Sequence, residues 1–381
     1  MERPSGRGLA ASVREVVPLW AALLGAFFLL VYLARTSLPE RFPNHNKDWV
    51  GLPESPILDA LLRWDTGWYR RIVLEGYAYA GPGRESNVAF FPLYPLLVRT
   101  LAPVFPTHFH AGLFLSNACF VAALVALHDA VSFKHGRATA RSAVLFALLS
   151  PAMVFFSAYY TESLFFLEVV LAFRAYERRS FWGAGLAGAC ASATRTTGVV
   201  LLGAFGLAEL VALARRQETF GWRYLRARLP LLLVPLGLVA YMAFLGKTFG
   251  DPLVFTKVQE AWGRHADASI VDAVRGPFLD ARSEFWSRLE AVGAVLMLVL
   301  LAASCFVLEV APLAFLAVTI VLPLATGTAI SIFRIVASAA PLYVALALLA
   351  RGRFTRLALL ALGGALGAAG AVRFSLWYWA G

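Results

Sequence analysis

Apolar residues run through this chain in long blocks, separated by short clusters of charge. Blocks at 16–35, 109–131, 138–156, 160–176, 181–197, 199–214, 229–246, 289–308, 311–329, 333–350 and 356–376 approach what a bilayer-crossing helix needs. That requirement is about 20 mostly apolar residues. The pattern predicts an all-α polytopic membrane protein of about eleven transmembrane helices, forming a single membrane domain over residues 1–381. The first block follows Arg3, Arg7 and Arg14 and is too long for the core of a cleaved signal, so it reads as a retained signal-anchor. Residues 90–106, FFPLYPLLVRTLAPVFP, are apolar but carry Pro92, Pro95, Pro103, Pro106 and Arg99. Those prolines remove backbone donors that a spanning helix must satisfy internally. The segment reads as a juxtamembrane or re-entrant element.

Charge gives an independent test of that reading. If 90–106 does not cross, the clusters Lys134/Arg137/Arg141, Arg174/Arg178/Arg179, Arg215/Arg216/Arg223/Arg226/Arg228 and Arg351/Arg353/Arg356 all share the side of the N-terminus. If it crosses, every cluster flips and the positive-inside rule fails. The expectation is a multi-pass protein of the cell membrane with a cytoplasmic N-terminus. The C-terminus, ending LWYWAG, is then outside, with its aromatics forming an interfacial belt. Two long segments, 36–108 and 247–288, fall on the outer side, which places the chemistry extracytoplasmically. No tandem repeat and no matched pair of broken helices supports the inverted-repeat layout of many transporters.

Composition narrows the classes further. The chain is 60% apolar and 15% charged, whereas soluble domains carry about 25% charged residues. This excludes a soluble enzyme, a disordered protein and a nucleic-acid-binding domain. The net charge of +11 comes from thirty Arg and four Lys placed between apolar runs, so it encodes topology and predicts no nucleic-acid partner. The Arg/Ala/Leu-rich, Lys-poor usage suggests a bacterial chain. Cys119, Cys190 and Cys305 lie in apolar runs without C-x-x-C spacing and read as packing residues. His108 and His110 have no third ligand in view, so no metal site is expected. No D-x-D motif and no Walker loop is present, and no cofactor is expected.

The stretch SPILDALLRWDTGWYRRIVLEGY in the first outer segment reads as one amphipathic helix. Ser55 would cap it, Pro56 suits its first position and Gly76 would end it. Leu58, Leu61, Leu62, Trp68, Tyr69, Ile72 and Val73 form the apolar stripe, with Asp59, Arg63, Thr66 and Arg70 opposite. Asp65 stands four residues after Leu61 and three before Trp68, which places it in the apolar stripe. A carboxylate there is costly to desolvate and is a candidate general base. The alternative is an Asp paired with an Arg, or one accepting backbone donors at a helix break. Trp64, Trp68 and Tyr69 flank it as candidate substrate contacts. The aromatics and prolines of NVAFFPLYPLL would form a rigid interfacial wall beside Asp65 or simply anchor the surface.

These residues carry a resemblance. RWDTGWYRRIVLEGY followed by NVAFFPLYPLL resembles the opening motif of the PIG-V family of GPI mannosyltransferases and its bacterial relatives. SPAMVFFSAYYTESLF, LAGACASATRTTGVVLL and FRIVASAAPLYVALALLA are similar to later family blocks in order and spacing. The sequence departs from the family at Leu74–Glu75 and at Thr197. The resemblance implies a GT-C fold and transfer of mannose from a polyprenyl-phosphate sugar lipid on the outer face. Asp65 would then be the catalytic base of an inverting displacement, acting on a hydroxyl of a glycan, glycolipid or protein acceptor.

A departing lipid phosphate needs cationic donors. Arg195 in TRTTG and Arg334 in SIFRI are the candidates, since an intramembrane Arg is costly; headgroup snorkelling is the other reading for each. Glu162 in AYYTES would bind sugar hydroxyls, orient the partner of Asp65, or sit in interfacial water. Tyr159 and Tyr160 beside it read as interfacial anchors, and Glu168 as pairing inside the bundle. The competing class is a lipid or solute transporter or flippase, which shares the hydropathy and the charge pattern.

Overall fold

The computed structural model describes residues 8–41, 51–52, 54–265 and 267–380. Arg3, Arg7 and Gly381, which entered the charge and belt readings, lie outside the described residues. The described residues are helical with no strand. In chain order the helices are α1 Gly8–Ser37, α2 Pro56–Asp59, α3 Thr66–Glu75, α4 Leu93–Leu101, α5 His108–His135, α6 Arg137–Leu148 and α7 Met153–Ser157. They continue with α8 Glu162–Glu177, α9 Phe181–Thr194, α10 Val200–Ala214, α11 Trp222–Arg228, α12 Leu236–Phe249 and α13 Val254–Lys257. The last are α14 Ile270–Leu279, α15 Phe285–Ser304, α16 Val310–Leu324, α17 Ile332–Ala337, α18 Ala340–Leu349 and α19 Arg353–Ser375.

Five of these are long and apolar enough to cross a membrane: α1, α5, α15, α19 and α10 extended back to Thr196. A sixth is the pair Trp222–Leu233 and Leu236–Phe249, bent by 44° where Pro235 interrupts the ladder. The other five expected spans are helical but short or broken. The 138–156 block stops at Leu148 and resumes at Met153 around Pro151, and the 333–350 block stops at Ala337 and resumes at Ala340 ahead of Pro341. Each proline lacks the donor that would have carried the helix through. Residues 90–106 form the nine-residue α4 and one 3₁₀ turn, too short to span.

The chain divides into two compact units. The first takes residues 1–74, 96–167 and 342–381. In it α5 packs along α6 and α1, and α19 lies on α1 and α7. A buried polar pin joins α1 to α5, where His128 Nδ1 meets Ser12 Oγ at 2.9 Å and His128 Nε2 meets Glu15 at 3.1 Å. Gly112 admits the Tyr159 ring at a place where a Cβ would collide with it. Gly363 and Gly367 likewise let α19 lie against the backbone carbonyls of Leu149 and Ser150. Cys119 is buried here.

The second unit takes residues 75–95 and 168–341. Its α9 packs against α12 and the turn before it through small residues. A Cβ at Gly185 would strike Pro230 O, and one at Gly237 would strike Ala189 O. Close backbone approach of this kind replaces hydrophobic driving force between helices in lipid. Arg228, read from sequence as a topology charge, also closes a polar cluster. Its Nε donates to Glu209 at 3.1 Å, and Glu209 also accepts from Tyr176 and Tyr224. Cys190 and Cys305 lie exposed on this unit, not packed inside it as expected.

Candidate functional site

The expected single helix around Asp65 is two helices with a sharp turn between them. The first, α2, ends at Asp59; the chain turns through 60–65; α3 begins at Thr66. Trp64 takes φ +53, a conformation uncommon for a bulky residue. Asp65 therefore does not sit in a helical apolar stripe. It stands at the mouth of α3, where its carbonyl accepts the N–H groups of Trp68 and Tyr69 at 3.0 and 3.2 Å. The break puts Asp65 just ahead of α3, and these bonds are the first main-chain bonds of that helix, made by the carbonyl and not by the carboxylate. It sets an acid at the positive end of the α3 dipole, with Asp65 only 9% exposed.

Of the opposite polar stripe, Asp59, Arg63 and Thr66 are buried as well. Arg63 is 1% exposed; its Nη2 donates to Asp59 Oδ2 at 2.7 Å and its Nη1 to the Asp59 carbonyl at 2.5 Å. Its guanidinium lies 4.6 Å over the ring of Trp377. Burial pulls the Arg63 guanidinium below its ordinary value, while Asp59 beside it pushes back. Trp377 is thus core, and Trp64 meets the edges of Trp377 and Trp379 at 6.0 and 5.3 Å. Within the LWYWAG belt expected at the membrane surface, Trp377 instead packs beneath the Asp65 turn.

Tyr160 holds the turn together. Its hydroxyl donates to the Arg63 carbonyl at 3.1 Å and accepts the Asp65 N–H at 3.0 Å. Both backbone groups flanking the strained Trp64 are satisfied by one side chain almost a hundred residues away in the chain. Tyr159 and Tyr160 are fully buried, which overturns their reading as interfacial anchors. Tyr159 N donates to Leu61 O at 3.3 Å, so the 158–161 bend runs directly against the turn. Tyr69 lies edge-on to Tyr160, and its hydroxyl is 3.2 Å from Thr161 Oγ1. Glu162 follows at the first turn of α8 and is 1% exposed, so it is not an interfacial Glu in water. Trp68 is half-buried with Arg71 over its ring at 5.6 Å. The far end of α3 is closed by Arg99, whose Nε and Nη2 donate to Val73 O and Ile72 O at 2.8 and 2.9 Å. Asp65, Trp64, Trp68, Tyr69 and Glu162 all belong to the first unit.

Arg195 and Arg334 belong to the second unit. Arg195 ends α9 in extended backbone, φ −153, and is half-buried. A 3₁₀ turn follows and folds back so closely that a Cβ at Gly198 would overlap the backbone of Ala191. The Arg195 Nη1 donates to Ser338 Oγ at 3.2 Å. Ser338 caps the end of α17, one turn after Arg334, so the two candidate arginines meet the same short helix. Thr194, just before Arg195, donates to Glu168 Oε1 at 3.0 Å; Glu168 is buried, as expected of a residue pairing inside the bundle.

Residues 49–214 match the family model described as mannosyltransferase (PIG-V). Over these residues the chain is similar to PIG-V mannosyltransferases. It is 36% identical over 183 residues to the GPI alpha-1,6-mannosyltransferase 2 of Rattus norvegicus, covering 42% of this chain and 36% of that protein. It is 35% identical over 164 residues to the protein of the same name from Homo sapiens, covering 39% and 31%. The GPI mannosyltransferase 2 of Drosophila pseudoobscura pseudoobscura is 30% identical over 154 residues, 32% of each chain. The chain thus spans about a third of the length of these curated relatives. No solved structure matches it. The PIG-V-like segment contains Asp65, its turn, Tyr160, Glu162 and Arg195; Arg334 lies beyond it.

Tyr160 and Arg99 are the residues that sequence reasoning assigned to lesser roles. Periodicity had no means of finding Tyr160, because its partners are main-chain atoms in another segment. Asp59 and Arg63 at i,i+4 spacing were a visible pair, but nothing in the spacing said that the pair is buried.

Proposed function

We propose that this chain is a membrane mannosyltransferase. It moves a mannosyl residue from a polyprenyl-phosphate donor to a hydroxyl of a glycan, glycolipid or protein acceptor at the extracytoplasmic face of the cell membrane. The observation that carries this reading is the Asp65 turn. A carboxylate-bearing residue is held at a helix mouth by a buried tyrosine hydroxyl, beside a residue in sparsely populated backbone, inside the PIG-V-like segment. Strained, over-determined backbone of this kind concentrates at functional positions.

In the proposed reaction the acceptor oxygen attacks the anomeric carbon and the bond from that carbon to the phosphate oxygen breaks. Asp65 accepts the acceptor's proton. The lipid phosphate leaves with the bonding pair, and Arg195 and Arg334 supply positive charge to it. One displacement inverts the anomeric centre. Trp64, Trp68, Tyr69 and Glu162 are the proposed substrate contacts, Trp68 by its half-buried face and Glu162 through sugar hydroxyls. The reaction as written needs no metal and no cofactor. The charge clusters support an N-terminus in the cytoplasm.

The test is purified protein with polyprenyl-phosphate mannose labelled in the sugar, together with lipid and protein extracts as acceptors. Label transferred to an acceptor, with release of polyprenyl phosphate, is the expected result. Lipid movement across proteoliposomes without sugar transfer would replace the enzyme by a flippase.

A further inference from the structure

The short helix α17 carries Arg334, and six residues are far too few to hold a helix in place by themselves. Its position has to come from tertiary contacts, and α15 supplies two. Glu290, near the start of the spanning helix α15, is 1% exposed. Its Oε1 accepts the Ser331 N–H at 2.8 Å, and Ser331 stands at the entry of α17 with φ +66. Three residues further along the same face of α15, Gly293 leaves space for the Phe333 ring; a Cβ there would overlap it. The next charged group on α15, Arg288, donates to Pro277 O at 3.3 Å. At the other end of α17, buried Ser338 donates to Ile335 O at 3.0 Å and accepts from Arg195.

We propose that Glu290, with Gly293, is a positioning residue for Arg334: its carboxylate holds the entry of α17 against α15 and so fixes where the Arg334 guanidinium points. An intramembrane acid is costly and marks a function by default. Here the acid accepts a backbone N–H that initiates the arginine-bearing turn, at a residue whose backbone would otherwise relax out of the left-handed region. Removing the acceptor would let Ser331 relax, and α17 would turn about the Phe333 contact. The inference rests on the reading of Arg334 as a contact to the leaving lipid phosphate.

The experiment uses the full chain in detergent with three variants, Glu290→Gln, Glu290→Leu and Gly293→Ala. It measures kcat and KM for polyprenyl-phosphate mannose, equilibrium binding of polyprenyl phosphate by intrinsic tryptophan fluorescence, and melting. Glu290→Gln keeps a carbonyl acceptor for Ser331 and is expected within about twofold of wild type. Glu290→Leu strands the buried Ser331 N–H, so melting should fall modestly while the protein stays folded, and kcat/KM and polyprenyl-phosphate binding are each expected to weaken about tenfold. Gly293→Ala should move both in the same direction by displacing Phe333. Wild-type kinetics and binding in Glu290→Leu overturn the proposal, as does a Glu290→Gln protein impaired as much as Glu290→Leu. Should Glu290→Leu fail to fold, Gly293→Ala decides, and wild-type values there overturn it. Arg334→Ala separates the two layers. If it binds polyprenyl phosphate normally, the phosphate reading itself fails; if it is impaired while Glu290→Leu is not, only the positioning role fails.

Discussion

The Asp65 turn and the short helix α17 are both breaks in an apolar environment, and they are closed by different chemistry. At the first, a neutral hydroxyl serves two backbone groups at once: Tyr160 accepts from Asp65 N–H and donates to Arg63 O. At the second, an acid serves one: Glu290 accepts from Ser331 N–H. Each break has a non-glycine residue at positive φ, Trp64 in one and Ser331 in the other. A tyrosine closes its turn without burying net charge, so the carboxylate beside it is left to its own chemistry. A glutamate closes its turn at the cost of burying a carboxyl group in a spanning helix. That cost is acceptable where the segment being held carries a cation. The first break carries an acid, Asp65, and the second carries a permanent cation, Arg334.

The sharpest way to break this comparison is Asp65→Asn. The variant keeps shape but cannot accept a proton, so transfer is expected to fall by about 10²–10⁴ with folding intact. Turnover and melting on one purified sample check this. An active but destabilised protein would make Asp65 a structural partner and leave both breaks as mere packing. Next in size are Arg195→Ala and Arg334→Ala, each expected to lower turnover on the order of 10²-fold, with incomplete rescue by Lys, which lacks the planar fork. Wild-type turnover in both would return the arginines to headgroup snorkelling.

Tyr160→Phe sharpens the contrast directly. It strands the Asp65 N–H and the Arg63 carbonyl together in a buried turn. A buried unsatisfied group costs about 1–3 kcal/mol, so melting should fall, and turnover should drop about tenfold as Asp65 shifts. Melting unchanged from wild type would show that the hydroxyl is not what holds the turn. The smallest effect belongs to a third, exposed site that serves as a control. At the start of α14, Ser269 and Asp272 form a reciprocal cap, and hydrogen bonds from the Ser269 side chain and backbone hold the Asp272 carboxyl below its usual range. A depressed folded value means the cap's contribution is present above the ordinary carboxylate range and is lost as pH falls through that lower value. Hydrogen exchange of the α14 amides should therefore quicken in acid in the wild type. The acid dependence should vanish in Asp272→Asn, with turnover untouched.

Much of the membrane architecture was legible because it is written in local composition. Long apolar blocks and their flanking arginines need no partner to be read; α5, α15 and α19 follow them within about four residues, and α1 begins eight residues before its block. The prolines of 90–106 marked their break for the same reason: a missing donor is a property of the residue; Pro151 carries the same mark, but 138–156 was expected to run through it. The turn at 60–65 has no such mark. ALLRWD contains neither Gly nor Pro, and its periodicity continues smoothly into α3. The helix breaks there because the tertiary structure outbids it. Arg63 gains Asp59 and the face of Trp377, and Tyr160 satisfies the two groups that the break exposes.

The sequence by itself determined that this is an all-α membrane protein and where its apolar blocks and charge clusters lie, and it singled out Asp65, Arg195 and Arg334 as the residues proposed for the chemistry. Those follow from side-chain type and spacing along the chain. Only the tertiary structure decided that Asp59 and Arg63 are buried, that Tyr160 braces Asp65, and that Ser338 joins Arg195 to the helix of Arg334. Each of these is a hydrogen bond or a burial involving groups far apart in sequence or main-chain atoms, and neither kind leaves a trace in periodicity. A carbonyl or an N–H is the same at every position, so which side chain finds it is settled only when the chain has packed.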